Sequence, residues 1–535
     1  MTSYPVRTYS DVREALLARR EIALLDVREE DPHAQSHPLF AANFPLSRIE
    51  LDAYTRLPRR DVPIVVFDAG EGLAARAAEK LVELGYTQVA LLDGGLDGWI
   101  REGGEVFRDV NVPSKAFGEF VESQRHTPSL TAEAVDALLK SGDDVVVLDA
   151  RRFDEYHTMN IPGSISVPGA ELVLRARALA PNPATRVIVN CAGRTRSIIG
   201  TQSLVNAGLP NPVAALRNGT IGWTLAGQTL EQGSERRFEP QTGRDDANLD
   251  ASRNAARALA DRAGVNRTTL DETSRWAADS ARTTYRFDVR TPAEYEHAHA
   301  PGFQGAPGGQ LVQETEMYAP VRGARVVLFD DDGVRANMTA SWLAQMNIDV
   351  YVVDDTAATS LTARGPWRAA KPQPEPTPAV SADELAALLG DPASGTVVID
   401  VTSSANHVKA HIPGAHWIVR SRLTNGADDL RALPDAKRYV VTCGTNALAP
   451  FVAPEIAALT GKPVQVLDGG TAAWIRAGHA TEAGEERLAS PRIDRYRRPY
   501  EGTDNAREAM NAYLEWEYGL VAQLERDGTH GFFTI

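Results

Sequence analysis

"IVNCAGRTRSIIG", residues 188–200, holds one of the two cysteines in a chain of 535 residues. A β-branched run ends at Cys191, and Arg194, Thr195, Arg196 and Ser197 follow before the pattern turns helical. The stretch reads as a strand, a turn and a helix start. An inert cysteine sits among apolar neighbours, whereas this thiol stands in a basic, polar turn, the setting that activates a sulfur nucleophile.

The same strand and turn recur along the chain. An apolar run ending in aspartate occurs four times, "ALLDVRE" at Asp26, "VVLDARR" at Asp149, "YRFDVRT" at Asp288 and "VVIDVTS" at Asp400. Eleven residues beyond each aspartate stand His37, Asn160, His299 and His411, and two residues further the last three copies carry Pro162, Pro301 and Pro413 before glycine, where the first has Leu39. A second apolar run follows in each. Its last residue lies 42 residues beyond the aspartate in three copies (Asp68, Cys191, Asp330) and 43 beyond it in the fourth (Cys443). Helical patterns such as "AARAAEKLVELGY" and a third short run, "VALLDGGLDGW" or "VQVLDGGTAAW", complete each unit. Apolar runs alternating with amphipathic helices predict an α/β fold, a small, mostly parallel sheet flanked by helices.

A longer repeat overlies the short one. The second and fourth copies are offset by 251 residues and the first and third by 262, so the chain reads as a duplicated pair of domains. The expected boundaries are 1–110, 125–239, 263–372 and 378–490, with a polar helical connector at 240–262 and a helical tail at 491–535. The tail helix is expected to pack on its own domain, or else to bind a partner.

Composition bounds the function. A formal charge of −15 argues against general affinity for nucleic acid or anionic membranes. No apolar run reaches the roughly 18–20 residues that span a bilayer. The opening "MTSYPVRTYSDVREALLARR" lacks a leader's apolar core, and two cysteines exclude a disulfide framework, so a cytoplasmic location is expected. Neither cysteines nor histidines are spaced for a metal, and no cofactor is expected.

Cys191 falls where a strand ends and a helix begins, the position at which open α/β sheets bind ligands. Free amides, the helix dipole and a nearby guanidinium all favour a thiolate there. Arg194 and Arg196 suit a tetrahedral oxyanion.

The residues "LDARRFDEY…NIPGSISVP" and "VIVNCAGRTRS" resemble the rhodanese domain, so the chain resembles four tandem rhodanese-like domains arranged as two pairs. The resemblance implies a sulfurtransferase. Cys191 would take the outer sulfur of thiosulfate as a persulfide, release sulfite, and pass the sulfur to cyanide or a thiol in a ping-pong exchange. Loop amides from Ala192, Gly193, Arg194, Thr195, Arg196 and Ser197 would cradle the persulfide, and the two arginines would hold the sulfonate. Arg151 would either support the fold or line the pocket mouth. Related phosphatases carry arginine six residues beyond cysteine. Here Arg196 is five beyond, Ser197 occupies the sixth position, and Asn190 stands where phosphatases often have histidine, which favours sulfur transfer. Many thiosulfate-type loops have glycine three residues after the cysteine, whereas this one has Gly193 at two and Arg194 at three.

Asp68 and Asp330 at the cysteine position mark the first and third copies as inactive partners. Cys443 opens "CGTNALA", an uncharged loop loosely similar to that of mercaptopyruvate sulfurtransferases, and Thr402 replaces the first-strand arginine. Cys443 is either a second nucleophile or part of a degenerate loop. His37, His299 and His411 are read as structural. The expected partners are a small anionic sulfur donor and a thiophilic acceptor, with a homodimer left open. A persulfide carrier between proteins and a non-catalytic repeat scaffold are the rival readings.

Overall fold

The computed structural model describes residues 4–238, 246–355, 360–424 and 428–535. Four sheets repeat one strand order. In the second unit it runs Ser129–Leu130, Val213–Leu216, Arg186–Asn190, Val145–Asp149, Ile165–Ser166, all parallel. The first, third and fourth units have the same order. The central runs are apolar because helices cover both faces, and Val187, Ile188 and Val189 are buried throughout.

The aspartate ending each first strand is buried and needs a compensating cation. Asp149 receives the Arg151 guanidinium at 2.9 and 2.7 Å, and Arg28 and Arg290 serve Asp26 and Asp288 in the same way. In the fourth unit Thr402 takes that place, and a ring nitrogen of His407 lies 2.9 Å from Asp400 as its hydrogen-bond partner. His37, His299 and His411 hydrogen-bond backbone carbonyls of nearby residues, as their structural reading requires.

The four units associate as two pairs, but the pairs do not follow chain order. The turn Gly169–Glu171 of the second unit meets its counterpart Gly308–Gln313 of the third, with backbones so close that a Cβ on Gly309 would lie 3.1 Å from the Gly169 nitrogen. The equivalent turns Leu46–Arg48 and Arg420–Arg422 join the first unit to the fourth. Each pair therefore combines one aspartate loop with one cysteine loop. Buried ion pairs seal both seams: Arg335 bonds Glu171 at 2.8 Å, and Arg420 bonds Glu50 at 2.6 and 2.8 Å. A further link joins the first and third units, where strand Val321–Arg322 adds antiparallel to Ile22–Asp26 and the two cores merge.

The region expected to be a connector is a helix, Asp246–Arg262, whose buried Leu249, Ala256 and Leu259 pack between the second unit and Val334 and Met338 of the third; 240–245 of that reading lie outside the described residues. The interval 111–124, assigned to no domain from sequence, forms the cap and most of a helix, Val112–Arg125, buried from Val112 to Glu119.

The tail departs from expectation. It does not pack on the fourth unit alone but crosses to the others as two helices, Arg507–Tyr518 and Leu520–Asp527. Met510, Tyr513 and Leu514 pack with Ile221 of the second unit, while Leu520, Leu524 and Phe532 enter the core shared by the first and third. Its apolar residues are buried across the assembly.

Candidate functional site

Each second strand ends in a loop whose amides converge on one side chain. In the first unit Asp68 accepts from the amides of Gly70 and Ala74 at 3.0 and 2.9 Å; in the third, Asp330 accepts from Gly333 and Ala336 at 3.0 and 2.8 Å. These loops are amide cradles at helix starts, filled by the chain's own carboxyl groups. In the second unit the same place belongs to the Cys191 sulfur. Its thiol donates to Ser197 Oγ over 3.4 Å, and Ser197 donates on to the Arg194 carbonyl at 2.8 Å. In the fourth, the Leu448 amide donates to Cys443 Sγ at 3.4 Å.

Glycine after the third strand makes the cradle possible. At Gly219, φ is +54° and a Cβ would stand 2.3 Å from the Cys191 carbonyl, which accepts from the Thr220 amide at 2.9 Å. Gly95 and Gly470 serve the loops of Asp68 and Cys443 under the same constraint.

The structure corrects two readings of the Cys191 surroundings. Arg194 does not stand open for an anion. Its guanidinium bonds Glu119 at 2.7 and 2.8 Å, pairs with Glu122, reaches Asn218 at 3.1 Å and stacks 4.3 Å over the Tyr518 ring of the tail. Arg151 is buried on Asp149 and the Met159 carbonyl, where it supports the fold, and it also lines a cavity beside Glu155. A basic loop in a chain of net negative charge draws acidic partners, and these come from elements distant in sequence.

Arg196 remains beside the sulfur. It forms two parallel bonds to Glu155, at 2.7 and 2.9 Å. Burial would raise the Glu155 carboxyl, but the Arg196 guanidinium prevails and holds it at about 2. Cys191 is itself only 1% exposed. Burial pushes its thiol up, against the opposing pull of Arg196 and of the Ser197 hydroxyl and amide, so the expectation of a freely ionised thiolate does not hold for this closed state. Ala192 is buried, its carbonyl tied to the Ile221 amide, and Thr195 packs on Gly118 of helix Val112–Arg125.

Sequence reading missed the groups that close the site: Glu119 and Glu122 from that helix, Glu155, and Tyr513, Glu517 and Tyr518 from the tail. Only Glu155 had a local signal, since it lies in the quoted "LDARRFDEY". A cavity of about 360 Å³ opens beside it, walled by Arg151, Arg152, Arg495, Arg498 and Tyr500. A second, of about 310 Å³, adjoins the Cys443 loop at Thr402 and Leu448 and is walled across the seam by Glu29 and Arg48 of the first unit.

Several buried carboxyls make stability pH-dependent. Burial pushes Glu29 and Glu316 up to about 7 and Glu517 up to about 8, against 4.5 for the free side chain. Between those values the folded state holds more protons than the unfolded one, so stability falls as pH rises through them. Glu155 acts oppositely, and its contribution is lost as pH falls from 4.5 toward about 2. The thermal midpoint should therefore peak near about pH 5 and decline toward both 8 and 3. A midpoint that is flat from about pH 5 to 8 would mean that the three carboxyls are ionised in the folded protein.

Among the described residues no helix is long and apolar enough to cross a membrane. The family pattern of the rhodanese-like domain matches residues 9–102, 131–226 and 381–477, on the first, second and fourth units. The chain superposes on the crystal structure of a thiosulfate sulfurtransferase from Pseudomonas aeruginosa with a TM-score of 0.97 and 64% identity, covering 99% of this chain and 100% of that one. It is also 31% identical over 85 residues to the thiosulfate sulfurtransferase GlpE of Coxiella burnetii, 16% of this chain and 77% of that protein.

Proposed function

The chain belongs to the rhodanese family, and from that premise we propose that it is a sulfurtransferase in which Cys191 carries sulfane sulfur from thiosulfate, or a similar small anionic donor, to a thiophilic acceptor. The observation that carries this reading is the substitution within one conserved geometry. Where two units place a carboxylate in the amide cradle, the second places a sulfur. The amides that hold the carboxyl oxygens of Asp68 and Asp330 would, in the second unit, stabilise charge on Cys191, first on the thiolate and then on the persulfide. The first and third units, bounded at 1–110 and 263–372, serve as non-catalytic partners of the fourth and second, because a carboxylate cannot carry a persulfide.

With Arg194 committed to Glu119 and Glu122, the donor's sulfonate falls to the loop amides and to Arg196, which would share its guanidinium with Glu155. Cys443 has an amide donor but no charged group in its loop, which suits a relay or a different donor better than thiosulfate. A persulfide carrier is the second reading, favoured by the burial of Cys191 under the tail, since a closed site suits delivery by a docked protein.

Intact mass after exposure to thiosulfate tests the proposal. One added sulfur atom, mapped to the Cys191 peptide and removed by cyanide, is expected. An adduct formed only with a protein persulfide donor would favour the carrier, and no adduct from either source would leave a scaffold.

A further inference from the structure

We propose that Glu517, brought onto the second unit's loop by tail helix Arg507–Tyr518, is the proton relay for Cys191 in sulfur transfer. This role rests on the sulfur-transfer reading above. The Glu517 side chain is fully buried, and its two oxygens are treated differently. Oε1 accepts from the Tyr513 hydroxyl at 2.9 Å, whereas Oε2 has no hydrogen-bond partner among the described residues. That free oxygen lies 3.3 Å from the point where a Cβ on residue 193 would stand, which gives Gly193, two residues beyond the sulfur, a reason to lack a side chain. A buried carboxylate oxygen left unpaired is costly, and such groups in folded proteins call for an explanation. Burial, and after it the Glu517 charge, push the Cys191 thiol up, so the carboxylate and a thiolate beside the same loop oppose one another's charge.

The surroundings leave the proton on Glu517 mobile. From helix Val112–Arg125 it faces Glu119 and Lys115, from the loop Arg194 and Cys191, and from its own helix Tyr513, with Tyr500 and Asp109 behind. Arg194 is committed to Glu119 and Lys115 to Asp109 at 2.6 Å, so neither cation pairs with Glu517 directly. Burial and the Glu119 charge raise its carboxyl to about 8, close to the range of a thiol. A base poised this close to ambient pH can take up and release a proton.

The step balances. The Glu517 carboxylate takes the thiol proton, and the thiolate attacks the outer sulfur of thiosulfate. The bond between the two donor sulfurs breaks, and its electron pair leaves with sulfite. Glu517 then returns the proton to the departing sulfite. A thiol and a thiosulfate dianion become a persulfide anion and hydrogen sulfite, with no external oxidant or reductant.

The test is the single-turnover rate of adduct formation on the full chain, followed by quenched intact mass from about pH 6 to 10. In the wild type the rate should rise through about 8 and level off. Glu517→Gln, nearly isosteric, should slow the step at neutral pH by roughly 10²–10⁴-fold, the range for a lost general base, and move the rise to the thiol's own higher range. Tyr513→Phe keeps the carboxyl but removes the hydroxyl that steadies its charge, so the rise should shift upward without disappearing. Wild-type rate and profile in Glu517→Gln, or a faster reaction, would overturn the relay, the latter by showing that the carboxyl only obstructs the donor. No adduct on the wild type would overturn the sulfur-transfer reading as well, which separates the two failures.

Discussion

Cys191→Ser is expected to abolish the thiosulfate-dependent sulfur adduct and sulfite release while leaving the fold intact. A serine hydroxyl fits the same space and can make the same bond to Ser197, so the cradle keeps its shape. The chemistry is lost because an alcohol at neutral pH is far from ionised and forms no persulfide. No other unit can substitute at full rate. Asp68 and Asp330 fill their cradles with carboxylates, and the Cys443 loop presents an amide but no cation. Cys443→Ser should accordingly retain most thiosulfate turnover. The two single variants, compared by intact mass and by steady-state sulfite release, separate three arrangements. Loss in Cys191→Ser alone gives one active thiol. Loss in both gives two thiols working in series. Retained turnover in Cys191→Ser would remove the nucleophile assigned here.

Much of this site is legible in the chain because the fold repeats. The aspartates at strand ends and the cysteine or aspartate 42 or 43 residues later recur in four copies, and the glycine after the third strand in three, so these local backbone requirements are visible in the sequence. What closes the site is not legible for the opposite reason. Arg194 meets Glu119 and Tyr518, which lie 75 and 324 residues away, and no periodicity links such positions. From sequence the loop arginines read as free cations, because a sequence displays charge but not partners. The pairing of the second unit with the third has the same character, since it depends on close backbone contact between Gly169 and Gly309. Two glycines in separate turns carry no mark of facing one another. The amphipathic tail announces a buried face, but not that the face is divided between the second unit and the core shared by the first and third.

The second large effect is expected at Arg196, where two roles can be separated by pairing its substitution with one at Glu155. Arg196 is the guanidinium that pulls the buried Cys191 thiol toward ionisation, and it also neutralises Glu155. Arg196→Ala removes both functions. Breaking a buried ion pair by deleting one partner costs about 3–5 kcal/mol; because Arg196 is 13% and Glu155 24% exposed at the side chain, solvent screening should keep the loss nearer about 2–3 kcal/mol. Adding Glu155→Gln removes the stranded charge, so the double variant should recover most of that stability, with a coupling energy readable by denaturant unfolding. The rate should not recover. Without a cation beside the sulfur, kcat/KM for thiosulfate should stay about ten- to a hundredfold below wild type, the effect of losing one charge-assisted contact of about 1.5–3 kcal/mol. Glu155→Gln alone retains the guanidinium and should keep most of the rate. Arg194→Ala provides the contrast, because its contacts are to Glu119, Asn218 and Tyr518 rather than to the sulfur. It should loosen the tail and speed alkylation of Cys191 more than it alters kcat/KM. If Arg196→Ala/Glu155→Gln recovered rate and stability together, Arg196 would be a structural clamp, and the loop amides alone would hold the sulfur anion.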